Sequence, residues 1–468
     1  MKIDMQDIQG LKDMKVVHAG KNWYASGVST DTRKPVSNTL FFAIKGEHYD
    51  GHAFVNDALR SRAAGVVVDK NYEYRADAAG NKAAVFSVPD TVESLGELAH
   101  SIRERYKPTV ITITGSNGKT STKEMLSELL SGMYGTGRTQ GNLNNLIGLP
   151  LSILNMEQET RMWVLELGTS RYGELTSLTN IASPDIGILT NIGRAHLEFF
   201  HDLEGVAKAK EEMFSAMKTN GTAVMNADDP LVMGIARRFH GKVLTAGFSA
   251  DAQLRIVSYS LTGRGMDFSI VYEGEEHSFS TPVSGRHYLY NIALSMLCAR
   301  HVNVGWDKIR SACERFTVFK GRGNSMSYRN NITVIDDTYN ANPDSMRSGF
   351  LSAIERYGAQ SMVAVIGDML ELGDRTAQEH YELGKFLAEQ GIGKFILIGR
   401  FSKSTLEGVL APGIKEVYAK QVVDIQSAVQ ELESLSKEGF TIYIKGSRSM
   451  KLDQVISAYD TIMRGRNA

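Results

Sequence analysis

The chain has 468 residues, 42% of them hydrophobic and 22% charged, which is the range of folded globular proteins with room for about three domains. Lys plus Arg total 52 and Asp plus Glu total 53, so the net charge is -1. That balance argues against a general nucleic-acid or anionic-membrane binder, and no apolar run approaches the ~18 residues of a membrane span. The expectation is a cytoplasmic protein with no stable membrane insertion.

Residues 1–10 carry Asp4 and Asp7 and no apolar core, so they do not read as a signal peptide. Short strands are predicted at Leu40–Ile44, Gly65–Val68 and Ala83–Val88. A helix is predicted over Val92–Tyr106, with Leu95, Leu98, Ala99 and Ile102 on one face. Lys107-Pro108 breaks it and marks a boundary. An apolar β-branched strand, Val110–Thr114, opens the second segment and is followed by a Gly-rich turn and a helix, Lys119–Leu130. Further buried-type strands at Met162–Leu167, Ile186–Asn191 and Thr222–Asn226 alternate with helical stretches, as in a parallel sheet. Polar and apolar residues alternate between Gln253 and Pro282, the pattern of an antiparallel insert. Cys298 and Cys313 are too few and too close for a disulfide framework or zinc site. A Gly-rich basic linker spans Lys320–Asn324. Strands then recur at Ile332–Ile335, Met362–Ile366, Phe395–Ile398 and Ile442–Ile444. Ligands of open parallel sheets bind beyond the strands' carboxyl ends. The loops at 336–342, 367–373, 399–401 and 445–450 are therefore candidate site walls. No period of 20 to 50 residues is visible, which excludes repeat architectures.

The stretch Gly115-Ser116-Asn117-Gly118-Lys119-Thr120-Ser121 sits between a strand and a helix. Glycines let backbone N–H groups turn toward phosphate oxygens, and the helix start adds its positive dipole end. Lys119 suits β- and γ-phosphates, and the Thr120 hydroxyl suits magnesium. The first Gly lies three residues before Gly118, not five as in the usual Walker motif.

This shortened loop resembles that of the Mur ligase family, which includes folylpolyglutamate synthetases and makes amide bonds with ATP. The stretches Thr139–Asn145 with Gly148-Leu149-Pro150, Asp337–Pro343, Gly367–Gly373 and Lys445–Met450 extend the resemblance over essentially the whole chain. It implies an α/β protein of three domains. These are a small α/β N-terminal domain (1–107) for a uridine nucleotide, a central P-loop parallel-sheet ATPase domain (108–319), and a Rossmann-like C-terminal domain (320–468) for a dipeptide and part of the ATP. Within the family the third-segment motifs fit addition of D-alanyl-D-alanine to UDP-N-acetylmuramoyl-tripeptide better than addition of a single amino acid or glutamate. An acyl phosphate would be the intermediate.

The resemblance also implies roles for residues. Glu166 ends a strand and would bridge two Mg2+ ions, although a solvated strand-end Glu reads the same way. His196, in Asn191–Glu198, matches a metal histidine. Lys210 lies in Ala207–Phe214, a charge run that is ordinarily a solvated helix face. In the family the corresponding lysine is carbamylated and becomes an oxygen ligand. Lys208 points to another face of the helix. Asn144, Asn145 and Asn291 would lie on the adenine side. Tyr288 stands where the family usually has Asn. Arg322 would reach the phosphates and Asp337 the ribose. Ser29, Thr30, Asp31, Arg33, Lys45 and Gly46 resemble the uridine-nucleotide pocket. Asn340, Asn342, Ser345, Asp368 and Arg448 would hold the dipeptide or acyl phosphate. The chain is expected to be a monomer. A switching P-loop NTPase predicts neither the nucleotide-sugar pocket nor the modified lysine. Intact Lys119, Thr120, Glu166 and His196 speak against a non-catalytic scaffold.

Overall fold

The computed structural model describes residues 1–468 except 21, 35, 47–48, 75–82, 414–416, 436–438 and 466–468. Among the described residues, three larger sheets organise the chain, beside a two-stranded antiparallel pair, Ile3–Asp4 with Tyr24–Ala25. The first orders Lys15–His18, Ala84–Val88, Gly65–Asp69, Leu40–Phe42 and Val28–Ser29, with only the first pair antiparallel. Helix Thr91–Tyr106 follows; the Asp90 carboxylate accepts from the N–H groups of Val92 and Glu93 and caps it.

The second sheet has nine strands. Its parallel part orders Thr136–Arg138, Met162–Glu166, Thr109–Thr114, Ile186–Leu189, Thr222–Asn226 and Lys242–Gly247. Strands such as Met162–Glu166 and Ile186–Leu189 are buried along their whole length, because helices cover both faces. The expected insert is a three-stranded antiparallel extension of the same sheet, Leu254–Thr262, Gly265–Tyr272 and Glu275–Thr281. Ile186–Asn191 is shorter than expected: the strand ends at Leu189, and Thr190 and Asn191 turn into the loop that braces the phosphate loop.

The third sheet orders Asn324–Ser327, Thr333–Asp336, Thr441–Lys445, Met362–Ile366, Lys394–Ile398 and Tyr418–Val422. All its pairs but the first are parallel. The expected linker therefore ends inside an edge strand, and its turns at Gly321 and Gly323 use positive φ of 80° and 83°. No described helix is long and apolar enough to cross a membrane.

Two registers position the site. Glu166 pairs with Ile113, and Leu189 pairs with Thr114. The loops after these three adjacent parallel strands thus open on one sheet edge, where ligands of such sheets bind.

Candidate active site

The phosphate loop joins strand Thr109–Thr114 to helix Lys119–Ser131. Gly115 (φ 145°) and Gly118 (φ 82°) occupy backbone regions that side chains rarely adopt. A Cβ on Gly118 would also come within 2.3 Å of Asn291 Oδ1. The neighbouring loop braces the turn. Ser116 Oγ accepts from Gly193 N at 2.8 Å, Asn117 N donates to Asn191 Oδ1 at 2.9 Å, and Thr190 Oγ1 donates to the Asn117 carbonyl at 2.6 Å.

Lys119 Nζ folds back onto the carbonyls of Gly115 (2.8 Å) and Ser116 (3.3 Å). Burial lowers its pKa, Glu166 opposes this, and Arg322 adds to it. Thr120 Oγ1 donates to Glu166 Oε2 at 2.9 Å, and Asn144 Nδ2 donates to Glu166 Oε1 at 2.9 Å. Both oxygens of this buried carboxylate are thus oriented. Ser121 follows in the same helix, partly buried.

Lys123 was not legible as a site residue. It is fully buried, donates to the carbonyls of Thr139 (2.9 Å) and Gly141 (3.2 Å), and lies 3.9 Å from Glu166 Oε2. The signal was its spacing, four residues after Lys119 and so on the same helix face.

Lys210 and Lys208 separate sharply. Lys208 is exposed and sits 5.8 Å from the Tyr172 ring centre. Lys210 is 1% exposed and has no hydrogen-bond or ion-pair partner among the described residues. Burial, then the charge of Lys119, hold its pKa well below the usual lysine value, against Glu174 and Glu212. His196 has a left-handed backbone (φ 56°), and its Nδ1 lies 2.6 Å from Glu371 Oε2 in the third unit.

The third sheet closes over this edge. Arg322 donates from Nη2 to Thr120 Oγ1 at 3.2 Å and stacks 3.9 Å from the Tyr339 ring centre. Its buried Nε has no hydrogen-bond partner among the described residues. Asn342 Nδ2 donates to Asn117 Oδ1 at 2.8 Å. Arg194 clamps Asp344 through its backbone N–H (2.6 Å) and its guanidinium (2.6 and 3.1 Å), and reaches Glu379 at 3.3 Å.

A cavity of about 250 Å³ between the second and third units is lined by His287, Tyr288, Arg322, Asp337, Ser352 and Tyr443, among others. Asn291 lies in the second turn of helix Arg286–His301, not at its start. The Tyr288 hydroxyl donates to the Arg322 carbonyl, so this Tyr joins the two units. Burial pulls His287 down to about 4, and its Nδ1 contacts Ser352 Oγ at 3.0 Å.

Not every expected residue is free to bind. The Asn145 side chain accepts from Ile147 and Gly148 N–H groups and shapes a helix start. Asn342 and Ser345 cap helix Pro343–Tyr357 reciprocally. Both Asp368 carboxylate oxygens accept loop N–H groups, from Arg400 (2.8 Å) and Phe401 (3.0 Å). The Asn340 carbonyl accepts from Lys445, while Arg448 is exposed 6.0 Å from the Tyr339 ring centre. In the first unit, Ser29, Thr30 and Asp31 line a cavity of about 580 Å³ with Ser127, Arg138 and Asn155 of the second. Arg33 pairs with Asp31 and holds that carboxyl down to about 2. Lys45 and Gly46 are exposed and outside that lining.

Residues 113–299 match the Mur ligase middle domain, and residues 321–448 match the Mur ligase, glutamate ligase domain. The chain is 33% identical, over 92% of each chain, to a Bacillus subtilis (strain 168) protein named UDP-N-acetylmuramoyl-tripeptide–D-alanyl-D-alanine ligase. It belongs to the Mur ligase family. Two solved Mur ligase structures are similar along the chain's length. One is a MurF from Acinetobacter baumannii (TM-score 0.85, 28% identity, 97% of each chain covered). The other is a MurF ligase from Thermotoga maritima in complex with ADP (TM-score 0.82, 27% identity, 94% of this chain and 99% of that one).

Proposed function

We propose that this Mur ligase is an ATP-dependent enzyme that joins D-alanyl-D-alanine to UDP-N-acetylmuramoyl-tripeptide in cytoplasmic peptidoglycan precursor synthesis. Residues 1–107 hold the uridine nucleotide, 108–319 hold ATP, and 320–468 hold the dipeptide and complete the ATP site. The observation that carries this reading is the Thr120 hydroxyl, which stands between Glu166 and Arg322. At that point the phosphate loop, an acidic strand end and a cation from the third unit meet.

The tripeptide's terminal carboxylate attacks the γ-phosphorus of ATP. The bond to the bridging oxygen breaks and ADP leaves. The dipeptide amine then attacks the acyl carbon, the carbon–oxygen bond to phosphate breaks, and inorganic phosphate leaves with the amine's proton lost to solvent. Lys119 exchanges its two carbonyl contacts for phosphate oxygens and offsets their charge. The unpartnered Arg322 Nε offers a further donor to the same anion. Asn144 fixes the Glu166 carboxylate.

Thr120, Glu166, His196 and a carbamate on Lys210 are the residues that would hold magnesium. When bound, it supplies Lewis-acid charge at the phosphates. The Thr120 hydroxyl, already bonded to Glu166, and a modified Lys210 would add oxygen donors to the Glu166 carboxylate and the His196 ring. A buried, unpaired Lys210 with a depressed pKa is suited to react with carbon dioxide as a neutral amine.

The test is phosphate release from ATP. It should require the nucleotide-tripeptide and D-alanyl-D-alanine together. Equal release with a single amino acid in place of the dipeptide would count against the substrate assignment.

A further inference from the structure

Asp337 follows strand Thr333–Asp336 and lines the cavity between the second and third units. Its two oxygens are not equivalent. Oδ2 accepts from Lys445 Nζ at 2.5 Å and from Tyr443 Oη at 2.8 Å. Oδ1 has no hydrogen-bond partner among the described residues.

Both donors are themselves held. Lys445 and Tyr443 are each 3% exposed and lie two residues apart on strand Thr441–Lys445, so they face the same side of the sheet. Lys445 also donates to the Asn340 carbonyl at 3.1 Å, and the Tyr443 ring packs 4.4 Å from that of Phe350. Gly349 makes room for the group. A Cβ there would come within 2.1 Å of Tyr443 Oη and 3.1 Å of Asp337 Oδ2. A lysine this deep is rarely tolerated unpaired, and Asp337 is its partner.

We infer that Lys445 and Tyr443 are positioning residues that saturate Asp337 Oδ2, aim Oδ1 at a ribose hydroxyl, and so set the enzyme's preference for nucleotides that carry ribose hydroxyls. This rests on the ATP reading above. A carboxylate oxygen held by two donors leaves the other as the acceptor for ligand. A site built to bond a hydroxyl rejects an analogue that lacks it, because its polar group is then left unpaired.

The experiment compares ATP with 2′,3′-dideoxy-ATP at saturating peptide substrates, reading kcat and KM separately. Wild type should favour ATP by about a hundredfold or more in kcat/KM. Tyr443→Phe keeps the ring and loses one donor. It should shrink that preference about three- to tenfold through the KM for ATP, leaving the dideoxy KM in place. Lys445→Met should shrink it further. The proposal is overturned if wild type does not discriminate. It is also overturned if Tyr443→Phe leaves the ratio unchanged, or if both nucleotides lose equally, as a merely structural defect would cause. Failure of the ATP reading is distinguishable: wild type would then release no phosphate from ATP with any substrate, and both readings would fall.

Discussion

Lys119 spends its ammonium on two loop carbonyls, a folded-back pose within the phosphate loop. Removing it deletes a contact aimed at charge that grows in the transition state. Lys119→Ala should cost on the order of a hundredfold or more in phosphate release. A variant with near-normal turnover would remove Lys119 from the chemistry. Lys210 poses a different problem. The side chain is buried with no hydrogen-bond or ion-pair partner among the described residues, an arrangement costly for an ammonium and comfortable for a neutral amine or for a carbamate beside a metal. Carbon-13 bicarbonate should therefore give a carbamate signal in the wild type. The signal should vanish in Lys210→Ala and persist in Lys208→Ala, whose side chain lies exposed beside Tyr172. A fully active wild type with no such signal would make Lys210 a plain buried lysine.

Helix Gly148–Leu154 connects the first two units through a residue just past its end. Asn155 bonds Val28 on both sides of its peptide unit, accepting from the N–H at 3.0 Å and donating to the carbonyl at 2.9 Å. Asn155 also lines the cavity that holds Ser29 and Thr30. Asn155→Ala should raise the dissociation constant for the nucleotide-tripeptide about tenfold, since hydrogen bonds of this kind are worth about 1 kcal/mol each. The affinity for ATP should not move; calorimetry with each ligand separates the two. The strands that build the central unit were readable because parallel strands covered on both faces are apolar throughout, as Met162–Glu166 is. Edge strands such as Thr136–Arg138 and Tyr418–Val422 were not, because they are short or exposed and carry polar residues. Lys123 and Lys445 were missed for a related reason: a lysine in sequence reads as solvated, and only the fold reveals the carbonyls and carboxylates that bury it. Asp368 is the reverse case: its motif marks a site wall, and the fold adds that each of its carboxylate oxygens accepts a loop N–H, from Arg400 and Phe401.

Across the whole molecule, the second and third units meet through Arg194 on Asp344 and Glu379, His196 beside Glu371, Asn342 on Asn117, and Arg322 on Thr120. Of these, Arg194 makes the largest set of charged contacts. Arg194→Ala should open the molecule, seen as a larger radius of gyration in small-angle scattering without ligands. Turnover should fall about tenfold as closure loses about 1–2 kcal/mol of partly exposed ion pairing. An unchanged radius together with unchanged turnover would show that closure does not depend on this pair. Gly193 sharpens the point: a Cβ there would meet Asp344 Oδ2 at 2.7 Å, so the two surfaces approach closely at this pair. The bridges from Asn342 and Arg322 cross the phosphate loop itself. If a nucleotide enters and its product leaves only when these bridges are undone, each catalytic cycle contains a gate that swings through solvent, and the turnover rate should slow in proportion to the viscosity of added sucrose; a turnover rate indifferent to viscosity would place the slow step elsewhere.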